Sequence, residues 1–238
     1  PLEYRFKKVQ KEIRFVLDLL HVDYKFDNMD KFYKLNGKAL IVSNHLSDVD
    51  PLILIANSEK PVTFISKMET FKFPFVGVIA QALEVFPLDR KNLMNQISQI
   101  KEIVNYLKDP TKPSVIVYIE GTRNKHPENP CLDFHPGTLK IAMMAKVPLL
   151  SVATYGTFRV LDKKSYMKRV LTQFKFLELR TVKDLENVNT TDLAVELKKE
   201  IDLEVDNMRR IDVEFLKTQR LSKKRREIEL AFNKRILS

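Results

Sequence analysis

The sequence predicts an α/β fold: a mainly parallel sheet flanked by helices, with an amphipathic N-terminal helix and a helical C-terminal extension. Three observations predict it. Short strand-sized apolar runs alternate with stretches of helical periodicity. Those runs are nearly continuous in apolar residues, as strands covered on both faces require. The 238 residues, 44% of them hydrophobic, suffice for one sizeable core.

Phe6, Val9, Ile13, Val16, Leu17 and Leu20 recur at spacings of three and four between Tyr4 and Leu20, interleaved with Lys7, Lys8, Lys11 and Arg14. This is an amphipathic basic helix, and two roles are open to it: packing on the domain or lying on an anionic membrane. Strands follow at Ala39-Leu40-Ile41-Val42, Val62-Thr63-Phe64-Ile65, Leu83-Glu84-Val85-Phe86, Val115-Ile116-Val117-Tyr118-Ile119 and Leu149-Leu150-Ser151-Val152-Ala153. Leu171 to Leu179 adds further strand. Leu93, Ile97, Ile100, Val104 and Leu107 share one face of a helix. Beyond Val188 the pattern is helical, with Asn189-Thr190-Thr191-Asp192 as its cap region. The organisation is therefore an N-terminal helix over 1–24, an α/β domain over 25–188 and a basic helical extension over 189–238.

Composition narrows the function. Forty-one Lys and Arg against 31 Asp and Glu give a formal charge of +10, which favours anionic partners. A single cysteine, Cys131, excludes an internal disulfide framework and points to a reducing location. No run approaches the roughly 18 apolar residues of a spanning helix. Only five glycines occur, so no glycine-rich loop for ATP or NAD is available. The four histidines, His21, His45, His126 and His135, lack the pairing of metal ligands.

Two segments carry chemistry. Ser43-Asn44-His45-Leu46-Ser47-Asp48-Val49-Asp50-Pro51 follows the first strand run, where open α/β sheets place ligands. A neutral imidazole there can accept a proton from an alcohol while a carboxylate holds its tautomer. Asp48 and Asp50 both qualify as that carboxylate, and either could instead cap the following helix. Glu120-Gly121-Thr122-Arg123 follows the strongest apolar strand and combines a sharp turn, a hydroxyl and a guanidinium fork suited to phosphate oxygens. Lys67 and Arg90 stand at two more strand exits. In a parallel sheet, His45, Lys67, Arg90 and Arg123 gather on one edge, forming a site for deprotonating an alcohol that carries a phosphate.

In order and spacing these residues resemble the glycerolipid acyltransferase family, most of all bacterial 1-acylglycerol-3-phosphate acyltransferases. Asn44, His45 and Asp50 match the first motif; Lys67, Pro74, Gly77, Asp89 and Arg90 the second; Glu120, Gly121, Thr122 and Arg123, followed by Phe134 and Gly137, the third; and Val147-Pro148-Leu149-Leu150 the fourth. The resemblance spans roughly residues 37–152. Tyr118-Ile119 replaces the usual Phe-Pro, Glu84 stands where a glycine is frequent, and Ser151 where a proline is common. The resemblance implies a glycerol-3-phosphate/lysophosphatidate acyltransferase-like fold. In it His45 is the general base and Asp50 orients it, while Lys67, Arg90, Glu120, Gly121, Thr122 and Arg123 bind the glycerophosphate. It implies acyl-CoA or acyl-carrier protein as co-substrate, lysophosphatidic acid as acceptor, no covalent acyl-enzyme, and neither metal nor other cofactor. The expected setting is peripheral, on an anionic membrane surface at its cytoplasmic face, with no nucleic acid partner. Glycerol 3-phosphate or another lysophospholipid is the alternative acceptor, and a non-catalytic basic membrane-binding protein the alternative class.

Overall fold

Apolar residues facing both ways from the central strands need cover on both sides, and the chain supplies a helical layer on each. The computed structural model describes residues 1–35, 37–72, 74–89, 92–162 and 169–237. The chain runs through α1 (Leu2–Leu19), β1 (Val22–Asp27), α2 (Asp30–Tyr33), β2 (Leu40–Ser43), α3 (Asp50–Asn57) and β3 (Val62–Lys67). It continues through α4 (Pro74–Ala82), β4 (Phe86–Leu88), α5 (Leu93–Lys108), β5 (Ser114–Tyr118), α6 (Pro136–Ala145), β6 (Leu149–Tyr155) and β7 (Val170–Arg180). It closes with α7 (Thr190–Thr218), α8 (Lys223–Ala231) and α9 (Lys234–Leu237).

The seven strands lie in the order β1-β7-β6-β2-β5-β3-β4. All neighbours are parallel except β6 and β7. Leu40 and Val42 of β2 and Val115 and Val117 of β5 face a core shared with α5, α6 and α7. Ile41, Ile116 and Tyr118 face the other core, shared with α1 and α3. This alternation follows from the two-residue period of a strand. From β2 the chain leaves through α3 on one face, whereas from β5 it leaves through α6 on the other. The two exits diverge and open a crevice between the carboxyl ends of β2 and β5, the switch point at which such sheets bind ligands.

Two strands differ from the sequence reading. β1 is absent from it, although Val22, Tyr24 and Phe26 alternate with Asp23, Lys25 and Asp27; the strand forms because β7 offers a partner and Phe26 stacks on Phe174 at 4.9 Å. The run Leu83 to Phe86 is mostly the turn that follows α4, and β4 begins only at Phe86. Glu84 stops that helix in the left-handed region at φ 56, with Val85 N–H donating to Ala80 C=O. A glycine would take this conformation without strain. Glu84 is instead held by Arg5 at 2.8 Å, Lys112 at 3.0 Å and Tyr106 at 3.2 Å, which binds α1 and α5 to the same corner.

Helix α1 buries Phe6, Ile13 and Leu17, each contributing about 1.5–3 kcal/mol. Its Gln10 and Arg14 donate to the carbonyls of Ile55, Ser58 and Ala56, capping the end of α3. Packing on the domain is therefore one role of this helix. The opposite face carries the stripe Tyr4, Lys8, Lys11, Phe15 and Leu19, spaced by three and four residues and exposed throughout. At the other end, Asn189 caps α7 through the amides of Thr191 and Asp192.

A buried polar weld joins the C-terminal helices to the end of β6. The Arg159 fork binds both Asp212 oxygens at 2.9 Å, and its Nε donates to Glu229 at 2.8 Å. Asn233 donates to Asp212 at 2.7 Å and meets the Tyr155 hydroxyl at 3.0 Å. Arg209, one of the ten basic residues after Met208, is also buried, against Asp206 and the carbonyls of Pro127 and Asn129. Removing one partner of such a buried set leaves an uncompensated charge. Arg159→Met is expected to lose roughly 3–5 kcal/mol in urea unfolding; a loss under about 1 kcal/mol would show that the weld is not a stability element.

Candidate active site

The backbone, one ring nitrogen and one ring face of His45 are each held by a neighbouring strand or loop. Strand β2 ends at Ser43, and the Asn44 side chain continues the ladder onto β6, donating to Thr154 C=O at 2.9 Å and accepting from Thr154 N–H at 2.8 Å. The His45 N–H donates to Glu120 Oε1 at 2.6 Å, and its C=O accepts from Asn124 N–H at 2.8 Å. Its ring stacks on Tyr118 at 4.1 Å and 16°, so the residue that departs from the usual phenylalanine floors the imidazole with its aromatic face.

His45 Nδ1 lies 2.8 Å from Asp50 Oδ2. The same oxygen accepts from the amides of Leu46 at 2.8 Å and Ser47 at 3.0 Å. An oxygen already accepting from two N–H groups is an acceptor, so Nδ1 is the donor and the neutral ring carries its lone pair on Nε2. Asp50 is fully buried and opens α3, and Pro51 takes the next position, where a missing amide costs nothing. Of the two candidate carboxylates, Asp50 meets the imidazole and Asp48 does not.

Asp48 turns to the neighbouring exit, where its Oδ2 lies 2.5 Å from Arg123 Nη1. Arg123 and His45 are thereby tied to one edge of the sheet. Gly121 takes φ 70, with its N–H on Tyr118 C=O at 2.9 Å, the turn that sends the chain out of β5. Lys67, last in β3, donates to Thr122 Oγ1 at 3.4 Å. Lys67, Thr122 and Arg123 are all exposed at this edge. Glu120 is 3% exposed, with Oε1 on the His45 amide and Oε2 on the Leu132 amide at 2.7 Å. Burial pushes its carboxyl up to about 7, against the two amide donors. Arg90, expected to help bind the substrate, lies outside the described residues.

The profile of the family described as Acyltransferase matches residues 23–155, which hold this whole constellation. The chain belongs to the acyltransferase family. Among its relatives are proteins named probable 1-acyl-sn-glycerol-3-phosphate acyltransferase, in Mycoplasma genitalium at 30% identity over 71% of this chain and in Mycoplasma pneumoniae at 29% over 71%. The chain spans 62% and 63% of those two proteins. In fold it is similar to the 1-acyl-sn-glycerophosphate (LPA) acyltransferase PlsC from Thermotoga maritima, with TM-score 0.70 and 21% identity over 87% of this chain and 80% of that one.

For an acyltransferase the arrangement offers one proton acceptor, Nε2, on a ring that cannot rotate away. Three contributors escaped the list of expected site residues: Asn44, Tyr118 and Asn124. Asn44 is part of the first motif, but its task of binding β6 depends on a strand more than 100 residues away. Asn124 carries no signal beyond following Arg123; buried, it also donates to Pro130 C=O and accepts from His126 N–H. With Asp50→Asn, an amide replaces an oxygen that accepts three N–H groups, so turnover is expected to fall about 10²–10⁴-fold while circular dichroism keeps the native helix content. Turnover within a few-fold of wild type would remove Asp50 from the machinery.

Proposed function

We propose that this acyltransferase moves a fatty acyl group from a thioester donor, acyl-CoA or acyl-carrier protein, to the free hydroxyl of 1-acylglycerol 3-phosphate, yielding phosphatidic acid. The observation that carries the reading is the Nδ1–Asp50 bond that leaves the His45 Nε2 lone pair free, beside a strand exit bearing Arg123. The hydroxyl gives its proton to Nε2 as its oxygen attacks the thioester carbonyl. The tetrahedral intermediate then collapses, the C–S bond breaks, and the imidazolium returns the proton to the departing thiolate. Buried Asp50 stabilises the imidazolium between these transfers.

The phosphate of the acceptor meets Arg123, Thr122 and Lys67 in this reading, with Arg90 as a further helper. A phosphate monoester brings close to two negative charges at neutral pH and can displace the single charge of exposed Asp48 from the Arg123 fork. The relatives' names support the acceptor, and the basic edge supports an anionic one.

The stripe Tyr4, Lys8, Lys11, Phe15 and Leu19 on α1 supports peripheral binding to an anionic lipid surface, in the expected setting at the cytoplasmic face. No helix among the described residues is long and apolar enough to cross a membrane.

A thiol-release assay with acyl-CoA and lysophosphatidic acid tests the reaction: wild type is expected to release thiol and His45→Ala to fall to background. Equal release by both would overturn the assignment. Arg123→Ala is expected to raise KM for lysophosphatidic acid about tenfold or more with kcat changed far less. Co-sedimentation with vesicles rich in phosphatidylglycerol should capture the protein more than phosphatidylcholine vesicles do, and Phe15→Ser with Leu19→Ser should lower capture. Undiminished capture would clear α1 of the role.

A further inference from the structure

Glu120 is the one carboxylate of the third motif, and its surroundings are those of a support rather than of a ligand for an anion. It is 3% exposed, and each oxygen is taken by a backbone amide. A buried negative charge with both oxygens engaged has no favourable way to meet a phosphate group. What it does meet is the main chain of the base. The two amides belong to different loops: His45 leaves β2, and Leu132 belongs to the connection between β5 and α6. The next turn of Glu120's own segment adds the Asn124 amide on the His45 carbonyl.

We propose that Glu120 is a positioning residue for His45, clamping the amides of His45 and Leu132 so that the two loops bounding the crevice hold one fixed separation. The proposal rests on His45 serving as the base of the acyltransfer. The clamp is strongest with the anion, because a carboxylate presents two strong acceptors whereas the O–H oxygen of the acid accepts only weakly. Protonation turns one of them into an O–H donor facing an N–H. The titratable groups whose charge bears on Glu120 are His45 and Asp50 in the β2–α3 connection and Cys131 beside Leu132, with Asp202 and Lys198 of α7 behind the cysteine. Burial brings the Glu120 carboxyl to about 7, against an ordinary value of 4.5.

Two opposite trends follow. The folded value is raised, so the stability this group contributes is fully present below the unfolded value and is lost as pH rises through about 7. The clamp, and with it turnover, strengthens over the same rise. A rise of kcat with pH is also expected of His45 serving as the base, so only a comparison with Glu120→Gln isolates what Glu120 contributes.

The test compares wild type and Glu120→Gln in kcat and KM for lysophosphatidic acid from pH 5.5 to 8.5, with thermal melts across the range. Glutamine can accept at one oxygen only and sets an NH2 group against the other amide. The expected result is a 10- to 100-fold loss of kcat, KM within about twofold, and a melting temperature at pH 8 equal to or above wild type. A rise in KM with kcat retained would overturn the proposal and return Glu120 to substrate binding. Unchanged kinetics would overturn it as well. Amide NMR of the wild type covers the case of a variant that does not fold: the His45 and Leu132 amide protons should shift together with one midpoint near 7, and a Leu132 amide unmoved over that range would sink the clamp. Wild type that titrates in this way yet transfers no acyl group would instead sink the acyltransfer reading.

Discussion

One carboxylate oxygen organises the site. Asp50 Oδ2 receives the His45 ring together with the amides of Leu46 and Ser47, so the loop between β2 and α3 closes around a single acceptor. That geometry decides the tautomer of the imidazole, hence which nitrogen faces outward, hence what the edge can do to an alcohol. Burying such a charge is costly unless it is hydrogen-bonded, and three donors converge on the oxygen that does the work. The other oxygen of Asp50 is buried without a hydrogen-bond partner among the described residues, as is the Tyr118 hydroxyl beneath the ring.

His45 is braced from the strands on either side. From β6, Thr154 grips Asn44; from β5, Tyr118 floors the ring and Glu120 and Asn124 hold the backbone. Beyond Thr154 lies Tyr155, whose hydroxyl ends in the weld of Arg159, Asp212, Glu229 and Asn233. The C-terminal helices therefore belong to the scaffold on which the β6 brace stands. Arg209 illustrates the point: its charge counts toward a basic tail in the sequence, yet it serves inside the protein. Most other cations of that tail remain exposed.

The same edge separates charges by burial. Carboxylates that hold the chain, Asp50 and Glu120, are sealed in, while Lys67 and Arg123 stay in solvent where an anion can reach them. Asp48 is the exception, an exposed carboxylate resting on the Arg123 fork. Exposed ion pairs contribute little to stability, so this contact is one that a stronger anion can replace at small cost.

Periodicity and composition by themselves determined the fold class, six of the seven strands at least in part, the helical ends and the strand exits that carry chemistry. These depend on local rules, the two-residue period of strands and the 3.6-residue period of helices, which a sequence displays directly. The motif spacing also determined that His45 and Arg123 belong to one edge, because a parallel sheet brings its strand exits together. Tertiary structure alone decided the remainder. Glu84 ends α4 in a glycine-like conformation because cations from α1 and the loop after α5 reach it. β1 exists because β7 accepts it, and Glu120 faces amides instead of solvent because two loops close over it. Each of these depends on partners far apart in the chain, and pairing across such distances is set by packing, which no local pattern records.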